Sequence, residues 1–305
     1  MDREPWVAAR DATMRIAARL ARVLAPPAKA YEPWIVGGHV VGWIIPERVQ
    51  RLLEWDDVFR RSARGIELAP RLVAEADRTA ALDAVARKLS AEGALTTWRD
   101  ERYAVAAARD APLLLALERA AARYFGIHTH AAHANGLVAR DGAWRMWLAR
   151  RSPTKPIDPG LLDNLVGGGM PVGADARTTL VKEAFEEAGI PGELARQARS
   201  VGTLDICRDQ PEGLQRETIH VHDLELPEEF VPRNQDGEAV ELRLHTPEAV
   251  LEILRGDDIT ADASLVIVDY LLRHDHIDRA DPSRAPLAAL RHRVVVPNGR
   301  AARGT

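Results

Sequence analysis

The sequence predicts an α/β fold, a mixed β-sheet covered by helices, preceded by a smaller α+β region. Three observations carry this. From about residue 127 onward, runs of branched residues with strand character alternate with helical segments. All seven tryptophans fall at or before Trp147, which marks a compositional break between two regions. A glycine run, "VGGGMPVG" (Val166–Gly173), leads into a helix crowded with glutamates. With 305 residues the chain has room for two ordinary domains. The division is read as 1–120 for the α+β domain and 121–280 for the larger one. Residues 281–305 form a C-terminal extension, partly loose. There is no internal repeat.

The elements follow in order. Residues 7–24 place Val7, Met14, Ile16, Ala17, Leu20 and Leu24 at helical spacing, ending at "APP". Trp34 to Ile45 is broken by glycine and reads as two short strands around a turn. Pro46 opens a helix, because its missing N–H has no helical partner in the first turn. Residues 71–93 and 102–125 read as further helices. The second has Leu113, Leu114, Leu117, Ala121 and Tyr124 on one side and Gly126 as its stop. "HAAHANGLVARDGAWRMWLARRS" reads as two strands around an Asp141-Gly142 turn. "LLDNLVGGG" is a strand running into a glycine loop. "ARSVGTLDICRD" and "QRETIHVHDLEL" are strands, and "VELRL" is another after a loop. Residues 247–255 and 262–274 are helical.

Composition excludes some functions. The formal net charge is −4, which gives no support to a nucleic-acid partner held through phosphates. The single cysteine, Cys207, makes neither an internal disulfide nor a cysteine metal site and fits a reducing compartment. The first residues are charged every few positions, so a secretory signal or membrane span is not expected. A cytoplasmic location is the expectation.

The glutamate helix carries the chemistry. Asp175 is placed to cap residues 176–188, and Gly189 to end them in the left-handed conformation. Ala176, Leu180, Ala184 and Ala188 recur every four residues as a buried stripe. Glu183, Glu186 and Glu187 converge on another side. Like charges this close repel, and a divalent cation relieves the repulsion. Hard carboxylate oxygens suit magnesium, with manganese as the alternative. The glycines permit tight turns and a close approach to a ligand or metal. Such a cation would bridge diphosphate oxygens, and a glutamate would orient or deprotonate a water.

This stretch resembles the signature of the Nudix hydrolases: glycine, five residues, Glu, seven residues, Arg-Glu, an apolar residue, any residue, Glu-Glu, any residue, Gly and an apolar residue. Gly168 takes the first place, and Lys182 to Ile190 take the last block. Ala174 stands where the first Glu is expected, and Lys182 where Arg is expected. The resemblance implies the Nudix α/β/α sandwich with a mixed sheet. It also implies Glu183 and Glu187 as principal metal ligands, Glu186 as a further ligand and the Gly167 carbonyl as another. Glu186, Glu187 and Glu238 are the implied catalytic carboxylates, with Glu217 and Glu241 competing for the place of Glu238. "LARRSPTKPIDPGLLDNLVGGGMPVG", "HDLELPEEFVPRNQDGEAVEL" and "LVIVDYLLRH" are similar to Nudix proteins with an N-terminal DUF4743-type domain, labelled thiamin pyrophosphokinase-related. That branch implies hydrolysis of thiamin diphosphate, or its oxidised or damaged forms, to the monophosphate plus phosphate.

Other readings stand beside it. One is the same chemistry on a nucleoside diphosphate derivative such as ADP-ribose, a nucleotide sugar or a dinucleotide. Another is a non-catalytic module that binds a diphosphate or a protein. An isoprenyl diphosphate isomerase shares the fold, but no motif around Cys207 supports it. Arg150, Arg151 and Lys155 are candidates to grip a diphosphate, and Asp163 and Asn164 to shape the loop or meet the substrate. Along a strand His128 and His130 share one face and His133 takes the other, against a three-histidine metal site. Trp34 and Trp43 are candidates for the core before ring stacking. The expected partner is a small-molecule diphosphate, with neither nucleic acid nor membrane, acting on a monomer or homodimer.

Overall fold

The structure is a computed structural model, described for residues 7–96, 98–140 and 142–292. The chain begins with α1 (Arg10–Val23), β1 (Glu32–Val36), β2 (His39–Ile44), α2 (Pro46–Leu52), β3 (Phe59–Ser62), β4 (Gly65–Leu68) and α3 (Glu75–Ala91). The strands form a four-stranded sheet in the order β2-β1-β4-β3. Gly37 and Gly38, both at positive φ, close the β1–β2 hairpin, as its twist requires. Pro46 sits in the first turn of α2. Trp34, Ile66, Leu82, Leu89 and Leu115 fill the core beneath α3.

The expected helix over 102–125 is a hairpin instead. β5 (Arg102–Ala106) and β6 (Leu113–Glu118) pair antiparallel, Tyr103 opposite Leu117 and Val105 opposite Leu115. Tyr103 and Val105 alternate inward with the more exposed Arg102 and Ala104, the period-two signature of a half-buried strand. The Leu113–Leu117 run is apolar throughout, and such a run does not distinguish buried strand from buried helix. Pairing decides it: the Ala116 N–H, facing α3, donates to Thr79 Oγ1 at 2.9 Å. Only the end is helical, a 3-10 turn at Arg119–Ala121 and α4 (Ala122–Phe125), stopped by left-handed Gly126 as expected.

The second half comprises β7 (His128–Arg140), β8 (Ala143–Arg151), β9 (Leu162–Asn164), β10 (Val166–Gly169), α5 (Ala176–Ala188), α6 (Gly192–Ala195), β11 (Arg199–Gln210), β12 (Gly213–Glu225), β13 (Ala239–His245), α7 (Pro247–Arg255), α8 (Ala261–Arg273) and α9 (Arg284–Ala289). The main sheet runs β11-β12-β7-β8-β13, with β10 added to β7 and β9 to β8. Only β7 and β12 pair in parallel within it, so the sheet is mixed. α5 packs with Ala132, Ala134 and Val166 on one face. α8, apolar over most of its length, packs with Leu137, Ile219 and Val221 on the other. This is the expected α/β/α sandwich. α1 joins this second core through Ile16 and Leu20. Asp141 of the expected turn and residues 293–305 of the expected extension lie outside the described residues. Among the described residues, no helix is long and apolar enough to cross a membrane.

The glycine run is strand rather than loop. Gly167, Gly168 and Gly169 pair with His133, Ala132 and Ala131. None of the three has a positive φ, so turn geometry is not the reason for glycine here.

His128, His130 and His220 cluster on β7 and β12, with ring centroids 4.7 and 5.7 Å apart. His133 takes the other face, as the strand period required. Burial pushes His128 down to about 3 and His220 to about 4, and lowers His130. Nearby Arg216 and Arg109 push the same way. His128 and His220 stay neutral in the fold while an unfolded chain protonates them near 6.5. The unfolded state therefore binds more protons as pH falls from about 6.5 toward 4, and stability drops, by at most about 1.4 kcal/mol per pH unit for each of the two. Denaturant unfolding at pH 7 and pH 5 checks this, and His128→Gln is expected to flatten the slope.

Candidate active site

Local sequence sets α5 in place. Asp175 Oδ1 accepts the Thr178 N–H at 2.7 Å, and Gly189 ends the helix at φ 63°. Leu180, Ala184 and Ala188 are buried and hold the helix against the sheet. The helix thereby comes down on the bare backbone of β10. A Cβ on Gly168 would overlap the Glu183 side chain. A Cβ on Gly167 would lie 2.9 Å from the His133 ring, and one on Gly169 would fall on the Tyr103 hydroxyl. Close approach is why these positions are glycine.

Each glutamate has a distinct environment. Glu187 Oε2 accepts the Gly167 N–H at 2.8 Å. Burial raises its proton affinity well above the usual carboxylate range; Glu183 and Asp163 add to this, while the Gly167 hydrogen bond and Lys155 oppose it. Glu183 is raised too, again chiefly by burial, against the pull of Lys182. Lys182 Nζ lies 2.7 Å from Glu186 Oε2 and 3.2 Å from Glu183 Oε1. Its ammonium thus sits where repulsion between those carboxylates must be balanced.

The donor chemistry fits a hard divalent cation: three carboxylates from adjoining helix turns beside strand backbone that carries no side chains. As they stand, no three acidic, imidazole or thiol groups among the described residues are drawn together around one point. Glu183 and Glu186 are closed on Lys182, and Glu187 on Gly167. A bound cation would take over the charge balance that Lys182 now provides.

The helix borders a cavity of about 250 Å³. Thr129, Ala131, His133 and Gly167–Gly169 line one part of it. Arg151, Lys155, Asp163, Lys182, Glu183, Glu186 and Glu238 also line it, so most of the expected site residues meet there. Arg151 is fully engaged, donating to Asp163 Oδ2 and to the carbonyls of Asp158 and Ile157. It braces the loop after β8. Lys155 pairs with Glu238, and burial lowers its proton affinity, with Arg151 acting in the same direction. Arg99 Nη1 reaches Glu238 at 3.7 Å.

Others fall elsewhere. Arg150 lies outside the cavity, forked on Asp258 at 3.0 and 2.8 Å and bonded to the Gly160 carbonyl. Glu241, one competitor of Glu238, lies with Arg150 at 3.8 Å. Glu217, the other, lines the cavity from β12 and accepts from Thr129 and Gln215. Asn164 is buried behind the site, bonded to His133 Nδ1 at 2.9 Å. Trp34 is core, 4.8 Å from Phe125. Trp43 packs beside Tyr31, Cys207 and Leu214. Cys207 is buried away from the cavity, its thiol pushed up to about 11 by burial.

Sequence reasoning missed one wall. Arg99, Glu101, Tyr103 and Arg119 line the cavity from the first half of the chain. Reading 102–125 as a helix in a separate domain hid them. Strand alternation at Tyr103 and Val105 was the available signal.

A family described as "Domain of unknown function (DUF4743)" matches residues 14–129, and the NUDIX domain matches residues 129–265. Nudix hydrolase 20, chloroplastic, of Arabidopsis thaliana is 38% identical over 255 residues, covering 80% of this chain and 68% of that protein. Nudix hydrolase 24, chloroplastic, of the same plant is 38% identical over 253 residues, covering 82% and 69%. A crystal structure from Deinococcus radiodurans matches with a TM-score of 0.43 and 21% identity, covering 55% of this chain and 98% of that one.

The packing of Tyr103 on Gly169 gives a test. Gly169→Ala is expected to destabilise the protein by roughly 1–3 kcal/mol through overpacking. Tyr103→Phe in the same chain is expected to restore part of that loss. A double-mutant cycle in denaturant measures the coupling, and strict additivity would show that the hydroxyl does not rest there.

Proposed function

The chain belongs to the Nudix hydrolases, and from that premise we propose that it uses magnesium, or manganese in its place, to cleave thiamin diphosphate or an oxidised or damaged analogue to the monophosphate plus phosphate. The observation that carries the metal reading is Glu187, a half-buried, poorly solvated carboxylate whose hydrogen-bond partner is a backbone N–H rather than a side-chain cation. Two further carboxylates stand beside it, and hard cations answer such a set. The pairing of a DUF4743 region with a NUDIX domain supports the thiamin branch. The cavity, about 250 Å³, lies near the lower end of the usual range for ligand sites.

In this reading Glu183, Glu186 and Glu187 hold the cation, with the Gly167 carbonyl beside them. When bound, the cation supplies Lewis-acid polarisation of phosphate oxygens and a more acidic water. Lys155 neutralises the phosphates and Arg151 keeps their loop in shape. Asp163 holds Arg151 in turn. Glu238 and Glu186 are the carboxylates able to orient an attacking water and accept its proton. The second reading, a nucleoside diphosphate derivative, uses the same residues and differs only in the group beyond the phosphates. Lys182 closed on Glu183 and Glu186 favours a third, a module that binds without cleaving.

Thiamin diphosphate, its oxo form and ADP-ribose, each with magnesium, are to be compared on wild type and Glu187→Gln. Wild type is expected to release phosphate from the thiamin compounds fastest, and the variant to lose roughly 10²–10⁴-fold in rate. Without divalent ions the same variant is expected to melt at a higher temperature than wild type, because the wild-type fold must either hold a proton on Glu187 that the unfolded chain releases or carry a poorly solvated charge there. Equal rates in the two proteins would exclude the role given to Glu187.

A further inference from the structure

The DUF4743 region does more than precede the hydrolase. Its β5–β6 hairpin is fastened to the glycine strand: the Val172 N–H, just beyond β10, donates to the Arg102 carbonyl at 2.8 Å. The Tyr103 hydroxyl fills the space a Gly169 side chain would need. The turn that follows β6 delivers Arg119 to the cavity.

Arg119 is held for a purpose its internal contacts do not use up. Its N–H donates to the Glu101 carbonyl at 2.8 Å, and its Nη1 to Glu101 Oε2 at 2.7 Å. Buried Glu118 accepts the N–H groups of Ala120 and Arg99, which fixes the turn on both sides. Among the described residues, Arg119 Nε and Nη2 make no hydrogen bond, and 40% of the side chain remains exposed. Arg151 is engaged by three partners and Lys182 by two glutamates, whereas the Arg119 guanidinium has the Glu101 carboxylate and the Tyr103 ring, 5.7 Å away. Arg119 also lies close enough to Glu183 for their charges to interact.

We infer that Arg119 binds the diphosphate of the substrate from the side opposite β7, so that the DUF4743 region is one wall of the active site and selects for a phosphorylated ligand small enough to fit beneath it. A guanidinium fixed at one nitrogen presents its remaining donors in a rigid fork that matches phosphate oxygens. Glu101 keeps that fork from collapsing onto Glu183. The inference rests on the diphosphate reading above.

The test uses the full chain. Inorganic pyrophosphate is titrated calorimetrically, with magnesium, into wild type, Arg119→Gln and Arg119→Lys, and KM and kcat are measured on the best diphosphate substrate. Arg119→Gln is expected to raise both the pyrophosphate Kd and KM roughly ten-fold or more, with an unchanged melting temperature. Arg119→Lys is expected to fall between, since it keeps the charge and loses the fork. An active wild type with the same KM and Kd in Arg119→Gln would overturn this inference alone. If that variant did not fold, wild-type KM and Kd in Arg119→Lys would overturn it equally. A wild type that hydrolyses no diphosphate would instead remove the reading beneath it.

Discussion

The approach of one helix to one strand organises the rest of this protein. α5 lies so close to β10 that Gly168 has no space for a side chain beneath Glu183. The same closeness lets Glu187 reach the Gly167 N–H. Leu180, Ala184 and Ala188 anchor the helix there by burying the stripe beside those glutamates. Burial of apolar surface thus forces acidic groups into a place where water solvates them poorly. The raised proton affinities of Glu183 and Glu187 express that strain between packing and charge.

The sheet explains why a cavity forms at this point. β10 is a short addition to β7, beside the edge where β8 continues. β12 flanks β7 on its other side in parallel. The glycine backbone of the short strand and side chains of the loop after β8 are left to border an opening rather than a continuous core. Charged groups gather there because they can remain partly solvated or paired. Arg151 with Asp163, and Lys155 with Glu238, are such pairs.

The two halves of the chain are interleaved rather than strung together. α1 leaves the first half to pack in the second core, beside α7 and α8. The β5–β6 hairpin reaches back onto the glycine strand. A family match that divides at residue 129 therefore coincides with a shared cavity wall. In this protein, residues of the region matched by the DUF4743 family line that cavity.

By itself the sequence determined the capped helix from Asp175 to Gly189, the spacing of its three glutamates and the strands of the mixed sheet. These depend on local preferences and on a period that neighbouring residues share. It also separated His133 from His128 and His130, because strand parity is local. It did not determine that Leu113–Leu117 would be strand, that Arg150 would turn away to Asp258 or that Gly167–Gly169 would lie within a ladder. Nor did it place Tyr103 and Arg119 against the glutamate helix. Those outcomes depend on partners distant along the chain, such as Thr79 for Ala116 and Gly169 for Tyr103. Only tertiary packing chooses among locally equivalent conformations, because the deciding hydrogen bonds and steric limits do not exist until segments distant along the chain meet.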